Sequence, residues 1–397
     1  MKKILIISQG YWPEIFPINY ISEKLSKSDF LIDILTGHPN YPKGKIFKGY
    51  RPQKIYLRKK NRINIYRVPI IPRGENSKIG IIFNYLSFIL SSLFIGTFLL
   101  RKKKYDVILV YATSPIFQSY VGIFFKFIKK SPKLVTWVQD LWPNILAETG
   151  IIKNKLILKI LDYFVKKIYD SNDLLLAQSE SFCKEIKKKT KTQIRLLYNP
   201  GNSDKFLQKK TKKKTINLLY AGNIGNAQPW NFLLNCFNKF DFKNKNIKII
   251  ICGEGQKKNF LLKFIKDKKL KNVVYKGFVI GKKLEKEYKN SDILLIMLKK
   301  GLYLNKTVPS KFQIYLSKGK PILALSDGEV GKILKKNNLG FVARPSNEKK
   351  LQIILNKLIN LKKNEIEIKS NNIKKFYIKN FSQEKINENL IKQLNDL

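Results

Sequence analysis

The residues best equipped for chemistry in this chain are few, and they sit at the ends of apolar runs. Gly222-Asn223-Ile224-Gly225 follows Asn217–Tyr220 and precedes a helical stretch beginning near Trp230. Glycines in such a loop let the backbone approach a ligand, and a helix N-terminus favours an anion such as phosphate. A plain turn would use the same residues, so the loop alone does not choose. Gly253-Glu254-Gly255 repeats the arrangement after Ile247–Ile251. In Pro309-Ser310-Lys311-Phe312-Gln313, Ser310 is placed to cap a helix, with Lys311 in its first turn and Gln313 at its start. A cation there opposes the helix dipole and points to an anion nearby; the alternative is a routine surface helix. Asp140, in Gln139-Asp140-Leu141-Trp142-Pro143, ends another apolar run. It suits a base or an acceptor anchor, and equally a helix N-cap. Glu14, in Trp12-Pro13-Glu14-Ile15, holds the corresponding loop after the first run.

Other chemistries lack their residues. The single histidine, His38, cannot supply a histidine-rich metal site, and at the end of a strand it reads as a packing or loop residue. Cys183, Cys236 and Cys252 lie far apart, with no Cys-x-x-Cys, which excludes a disulfide scaffold and suits a reducing compartment. There is no Asp-x-Asp to hold a metal-bound diphosphate.

The elements that must position these residues follow an alternating rhythm. Ile4–Ile7, Leu31–Leu35, Val107–Tyr111, Leu134–Val138 and Leu174–Ala177 read as buried strands, with helical spacing between them, as at Tyr20–Ser28. A second set begins at Asn217–Tyr220 and continues through Ile247–Ile251, Val273–Tyr275, Ile293–Met297, Pro321–Ala324 and Gly340–Ala343. Such alternation predicts two α/β domains with parallel sheets. Asn199–Asp204 and the Lys/Thr-rich Gln208–Lys214 mark the linker, with the boundary near residue 205. The domains expected are 1–205, 206–378 and a terminal helix, 379–397, whose Ile386, Leu390, Ile391 and Leu394 pack back on the first domain. In open parallel sheets ligands bind beyond the strand C-termini, so the site is expected across a cleft between two facing halves.

The chain has 397 residues, 44% hydrophobic and 12% aromatic, which is ample for packed cores. With 78 Lys+Arg against 28 Asp+Glu, its net charge is +50 and draws it to anionic partners, although Lys, Asn and Ile are abundant throughout. The N-terminal apolar run, Ile4–Ile7, falls short of the roughly 7–15 residues of an export signal. Ile79–Leu100 carries no charge and is followed by Arg101-Lys102-Lys103-Lys104. Its length permits a membrane span, but a single crossing would divide Ile4–Leu35 from Val107–Val138 in the same sheet. A helix, or a helical hairpin, lying partly in the membrane face and anchored by the basic cluster is the favoured reading, with a core helix as the alternative.

The ordered set of these segments resembles the family-4 glycosyltransferases of GT-B fold. It is most like the fucosamine-transferase-like subgroup of bacterial O-antigen, capsule and colanic-acid assembly. The resemblance rests on Trp12-Pro13-Glu14-Ile15, Leu35–Pro42, Asn84-Tyr85-Leu86-Ser87-Phe88, Gln139–Pro143, Tyr220–Gln228, Pro309-Ser310-Lys311 and Gly319-Lys320-Pro321, and covers nearly the whole chain. It implies two Rossmann-like doubly wound domains facing each other across a cleft. The implied reaction is retaining transfer of a hexose or N-acetylated hexosamine from a UDP-linked donor.

By the same resemblance the second domain holds the donor, with Gly222, Asn223, Gly225, Gln228, Gly253, Gly255, Ser310, Lys311 and Gln313 as its binding residues. The Gly222–Gly225 amides and Lys311 face the diphosphate, and the Lys276–Val279 backbone meets the base. Glu14, Asp140 and Trp142 face the acceptor, with Glu14, Asp140 and Lys311 as catalytic residues. Several positions depart from the wider family: Gln313 and Asn305 stand where Glu is usual, Asn144 where relatives often have Glu, and Asn223 and Gln228 where many members carry an Arg and a Lys. No metal or other cofactor is expected. The expected partners are a nucleotide-sugar, a polyprenyl-diphosphate-linked acceptor and an anionic membrane surface at the cytoplasmic face of the plasma membrane, without nucleic acid. The rival readings are a nucleotide-sugar 2-epimerase on the same fold and a basic membrane- or nucleic-acid-binding protein without catalysis.

Overall fold

The computed structural model describes residues 1–75, 78–130, 132–201, 206–207, 215–240, 247–301 and 303–397. The expected boundary near residue 205 and the Gln208–Lys214 linker lie outside the described residues. The chain forms two units, Met1–Tyr198 with Ile386–Leu397, and Asn199–Lys385.

The first unit is built on an eight-stranded sheet. Its strands are β1 (Lys2–Ile7), β2 (Phe30–Thr36), β3 (Tyr56–Lys60), β4 (Ile63–Arg67), β5 (Val107–Ala112), β6 (Lys133–Val138), β7 (Leu174–Ala177) and β8 (Ile194–Leu196). Their order is β3-β4-β2-β1-β5-β6-β7-β8, parallel throughout except for the β3/β4 pair. Ile4–Ile7 and Ile108–Val110 are fully buried, as expected of central strands covered on both faces.

The sequence reading did not include β3, β4 and β8. In β4 the inward positions are Ile63, Ile65 and Arg67, so a buried arginine disguises the alternation. The edge strand β3 is mostly exposed and carries three cations among its five residues. The terminal helix Gln383–Asn395 buries Ile386, Leu390 and Leu394 in this unit's core with Ile4 and Ile6, and Lys2 Nζ donates to Leu394 O at 3.0 Å.

The second unit carries β9 (Ile216–Ala221), β10 (Ile247–Cys252), β11 (Val273–Tyr275), β12 (Ile293–Met297), β13 (Ile322–Leu325) and β14 (Gly340–Ala343). All pairs are parallel in the order β11-β10-β9-β12-β13-β14. Numbered within the unit, this is 3-2-1-4-5-6, the doubly wound dinucleotide-fold order. Its ligand crevice lies beyond the C-terminal ends of strands 1 and 4, where the winding reverses. The reversal falls at β9/β12 here, and at β1/β5 in the first unit.

Ile79–Leu100 is one helical run, long and apolar enough to cross a membrane by length and composition; 22% of its apolar window is buried in the protein. It consists of Lys78–Ser91, a π-helical turn Ser92–Gly96 and Thr97–Leu100. Asn84, Phe88, Ser92, Gly96 and Leu100 are its buried row. In an unbroken α-helix a row at every fourth residue swings by about 40° per step, about 160° over this length. The extra residue of a π-turn returns about 100° of that swing and keeps Gly96 and Leu100 on the sheet. Outside lie Ile82, Leu86, Leu90, Phe94 and Phe98, with Phe94 74% and Phe98 63% exposed.

Candidate functional site

In the first unit the loops beyond β1, β2, β4 and β5 converge on the winding reversal. Together with Asn84 and Tyr85 they line a cavity of ≈ 230 Å³. Glu14 lies in its wall with one carboxylate oxygen engaged. Its Oε1 accepts from the backbone N–H of Asn40 at 2.8 Å and of Tyr41 at 2.6 Å. Burial raises its pKa, against those hydrogen bonds and the nearby Arg67. Glu14, catalytic by the resemblance, thus spends Oε1 on fixing the β2 loop.

Arg67, which the sequence reading passed over, has the complementary task. Fully buried, it donates to Gly37 O at 2.6 Å and to Trp12 O, tying the β2 and β1 loops together. His38 is buried too, with Nε2 at 2.8 Å from Lys54 O and its ring edge-on to Tyr56. Burial pulls its pKa down to about 4, so it is neutral packing, as its position suggested.

Asp140, at the end of β6, accepts from Ser114 Oγ at 2.6 Å, and Trp142 Nε1 donates to the same Oγ at 3.0 Å. Burial raises the Asp140 pKa. The next helix, Asn144–Glu148, has Pro143 at its N-cap, so Asp140 is not spent as a cap. Ser114 lines the cavity and joins Asp140 and Trp142 to it. Arg73 reaches the same cavity from the loop after β4, stacked between Tyr41 and Tyr85. Ser114 and Arg73 carried no signal beyond being polar residues after strands; Tyr85 stood in a quoted motif without a role.

In the second unit the two glycine loops complete each other. Gly222 N donates to Cys252 O at 2.9 Å and Ile224 N to Glu254 O at 2.8 Å. Gly225 N donates to the Gln228 side chain at 3.0 Å, and Gly253 N to Gly277 O at 2.8 Å. Three of the four amides of the expected Gly222–Gly225 cradle are therefore already paired within the protein. Adjacent parallel strands end side by side, and their loop amides pair with one another rather than wait for a ligand. Gly253 is required by this approach: at φ +148°, a Cβ there would meet Gly222 O at 1.9 Å. Gly255, at φ +151°, similarly faces Ile224 O and the Asn223 side chain. Gln228 is the brace of the turn rather than an open ligand group, and Asn223 stays exposed, its carbonyl accepting from Tyr220 OH.

Lys311 is the cation left over this loop. Its Nζ lies 3.8 Å from the Tyr220 ring centroid. A Cβ on Gly222 would come within 2.4 Å of that Nζ, so the glycine makes room for the lysine. Burial lowers its pKa to about 7. Among the described residues it makes no ion pair. The helix Ser310–Ser317 begins with Pro309 as its N-cap, so Ser310 is an exposed first residue and not the cap.

Gln313 is 3% exposed and donates to Val308 O at 3.3 Å. Asn305, also buried, donates to Asp327 at 2.7 Å, and its Oδ1 is buried without a partner. Gln313 and Asn305 are thus amides built into the protein. Lys276–Val279 is loop, since β11 stops at Tyr275. Lys320, in Gly319-Lys320-Pro321, is buried and donates to Lys289 O and Ser291 O, which makes it a structural tie.

The class defined by this architecture is the GT-B glycosyltransferase fold. Over its full length the chain matches a sucrose-phosphate synthase from Thermosynechococcus elongatus with TM-score 0.72 at 12% identity, covering 100% of this chain and 99% of the other. It matches Anabaena Alr3699/HepE, solved with UDP and glucose, with TM-score 0.68 at 14% identity and 100% coverage of both. The lipopolysaccharide outer core galactosyltransferase WaaB matches with TM-score 0.68 at 13% identity, covering 99% of each chain. In sequence, residues 202–376 match the family model Glycosyl transferases group 1. No curated protein matches the chain.

Proposed function

We propose that this protein is a retaining glycosyltransferase of family 4, akin to the fucosamine-transferase-like subgroup of cell-surface polysaccharide assembly. The donor is a UDP-linked sugar of the N-acetylhexosamine class, and the acceptor is a polyprenyl-diphosphate-linked sugar. The observation that carries the reading is Lys311 poised over the β9 loop, inside the segment that matches group 1 glycosyl transferases. Bound UDP in a neighbour of the same fold supports a UDP-linked donor.

In such a transfer negative charge grows on the leaving diphosphate, and a preorganised cation in a partly desolvated site stabilises it most where the charge is greatest. With the Gly222–Gly225 amides largely occupied, that work falls on Lys311 and the first turn of Ser310–Ser317. Asp140, linked through Ser114 to the cavity of the first unit, is the group we assign to the acceptor hydroxyl. No metal is required in this scheme.

The outward row Ile82, Leu86, Leu90, Phe94 and Phe98 supports peripheral attachment to the cytoplasmic face of the plasma membrane. Further exposed apolar residues, Phe127 on Ser119–Ile128 and Leu156, Ile160 and Tyr163 on Lys155–Asp170, reinforce it. Basic residues Arg101–Lys104 and Lys130 stand at the ends of these helices, suited to anionic headgroups.

The test is a thermal-shift screen of nucleotide-sugars, followed by transfer assays of the best donor against lipid-linked acceptors, with and without EDTA. Transfer with retained anomeric configuration, unchanged by EDTA, is the expected result. An epimerised donor formed without acceptor would replace the transferase reading by an epimerase.

A further inference from the structure

The cavity at the β1/β5 reversal, whose wall also includes Glu14, contains the cation Arg73. Arg73 is half-buried, and its guanidinium lies 5.5 Å from the Tyr41 ring centroid and 5.1 Å from that of Tyr85. It donates to Tyr85 OH, and its backbone N–H donates to Asn40 Oδ1 at 3.4 Å. Among the described residues it makes no ion pair. An arginine gripped by aromatic faces keeps its charge and its planar fork of donors, with most of the fork left for an anion. Such a fork matches phosphate oxygens two at a time.

What lies beside the cation narrows the anion. Tyr85 belongs to the helix Lys78–Ser91, and its neighbour Leu86 is part of the exposed row that runs from Ile82 to Phe98. The cation therefore stands beside an apolar stripe, and a cavity of ≈ 230 Å³ is far too small for a long lipid chain. A ligand with a charged head and a long apolar tail fits this pairing: the head enters the cavity and the tail leaves along the helix. We propose that the cavity binds the diphosphate of a prenyl-diphosphate-linked acceptor, with Arg73 clamping a phosphate between Tyr41 and Tyr85. This rests on the transferase reading for the identity of the ligand, but the anion site is defined by the cavity itself.

The full-length protein in detergent micelles is titrated with farnesyl diphosphate, inorganic pyrophosphate and UDP, and binding is read by calorimetry. Wild-type protein should bind farnesyl diphosphate more tightly than pyrophosphate. Arg73→Ala should weaken farnesyl diphosphate at least tenfold, and Arg73→Lys should fall between, since it keeps the charge and loses the fork. Phe94→Asp/Phe98→Asp should weaken farnesyl diphosphate and leave pyrophosphate unchanged. UDP should bind all variants as it binds wild type, which also shows that they are folded.

Unchanged farnesyl diphosphate binding by Arg73→Ala overturns the proposal. Pyrophosphate binding as tight as farnesyl diphosphate overturns the lipid assignment, making the cavity a free-phosphate site. UDP binding without farnesyl diphosphate binding overturns this proposal alone. Farnesyl diphosphate binding without UDP binding supports the anion site and overturns the transferase reading.

Discussion

Lys311 is held by burial near the edge of its charged range, and that makes its role readable by pH. With a pKa of about 7 when no anion is bound, it loses its proton as pH rises through neutrality. A bound diphosphate favours the charged form and raises the pKa again, so binding takes up a proton. UDP affinity should therefore fall as pH rises above about 7, and calorimetry in buffers of different ionisation heat should detect the uptake. Lys311→Met should remove this pH dependence and cut turnover by about 10²–10³-fold, the usual cost of losing one charge-stabilising donor. Glu14 makes the opposite prediction. Its carboxylate serves two backbone amides, so Glu14→Ala should cost about 1–3 kcal/mol in urea unfolding. Glu14→Gln, which keeps an acceptor oxygen, should retain most turnover. Abolished turnover with full stability in Glu14→Gln would restore it as a base.

The apolar helix is the element whose sequence admits several readings and whose geometry separates the faces. Gly96 lets it approach β2, where a Cβ would stand 3.1 Å from Leu35. Gly122 does the same for Ser119–Ile128, with a Cβ placed 2.5 Å from Val110. Gly122→Leu should lower stability by about 1–3 kcal/mol through overpacking, seen as a reduced urea midpoint. Phe94→Asp/Phe98→Asp lies on the outer face and should leave the circular dichroism spectrum and urea midpoint nearly unchanged while abolishing the flotation with anionic vesicles that survives high salt. Flotation equal to wild type would remove the helix from the membrane contact.

For the whole molecule, a net charge of +50 adds a long-range attraction that salt screens, whereas apolar insertion is insensitive to it. Vesicle binding should therefore weaken between low and physiological salt and level off at a residual that depends on Phe94 and Phe98. Binding that vanishes completely with salt would leave charge alone as the attachment. The fold itself was legible as far as its strands are apolar: Leu174–Ala177, Val273–Tyr275, Ile293–Met297 and Gly340–Ala343 stand where their runs of hydrophobic residues ended. β4 was not legible, because Arg67 occupies an inward position and its reason for being there, two carbonyls from distant loops, is not local. The same holds for the candidate site. Lys311 and Asp140 announce themselves by charge at the edge of an element, but Arg73 and Ser114 gain meaning only from neighbours far along the chain.

Residue types and their spacing determined the alternation of strand and helix, the two α/β halves, the uncharged helix and the loops where ligands could bind, because burial periodicity and glycine placement are written locally. Which donors remain available in those loops was decided by tertiary structure. The Gly222, Ile224 and Gly225 amides are taken by neighbouring loops, and Gln313 turns inward to a carbonyl. Lys311 and Arg73 are left resting on aromatic rings, without an ion pair among the described residues. A hydrogen bond or a charge is satisfied by whatever the fold brings within about 3–4 Å, and sequence order does not contain that distance.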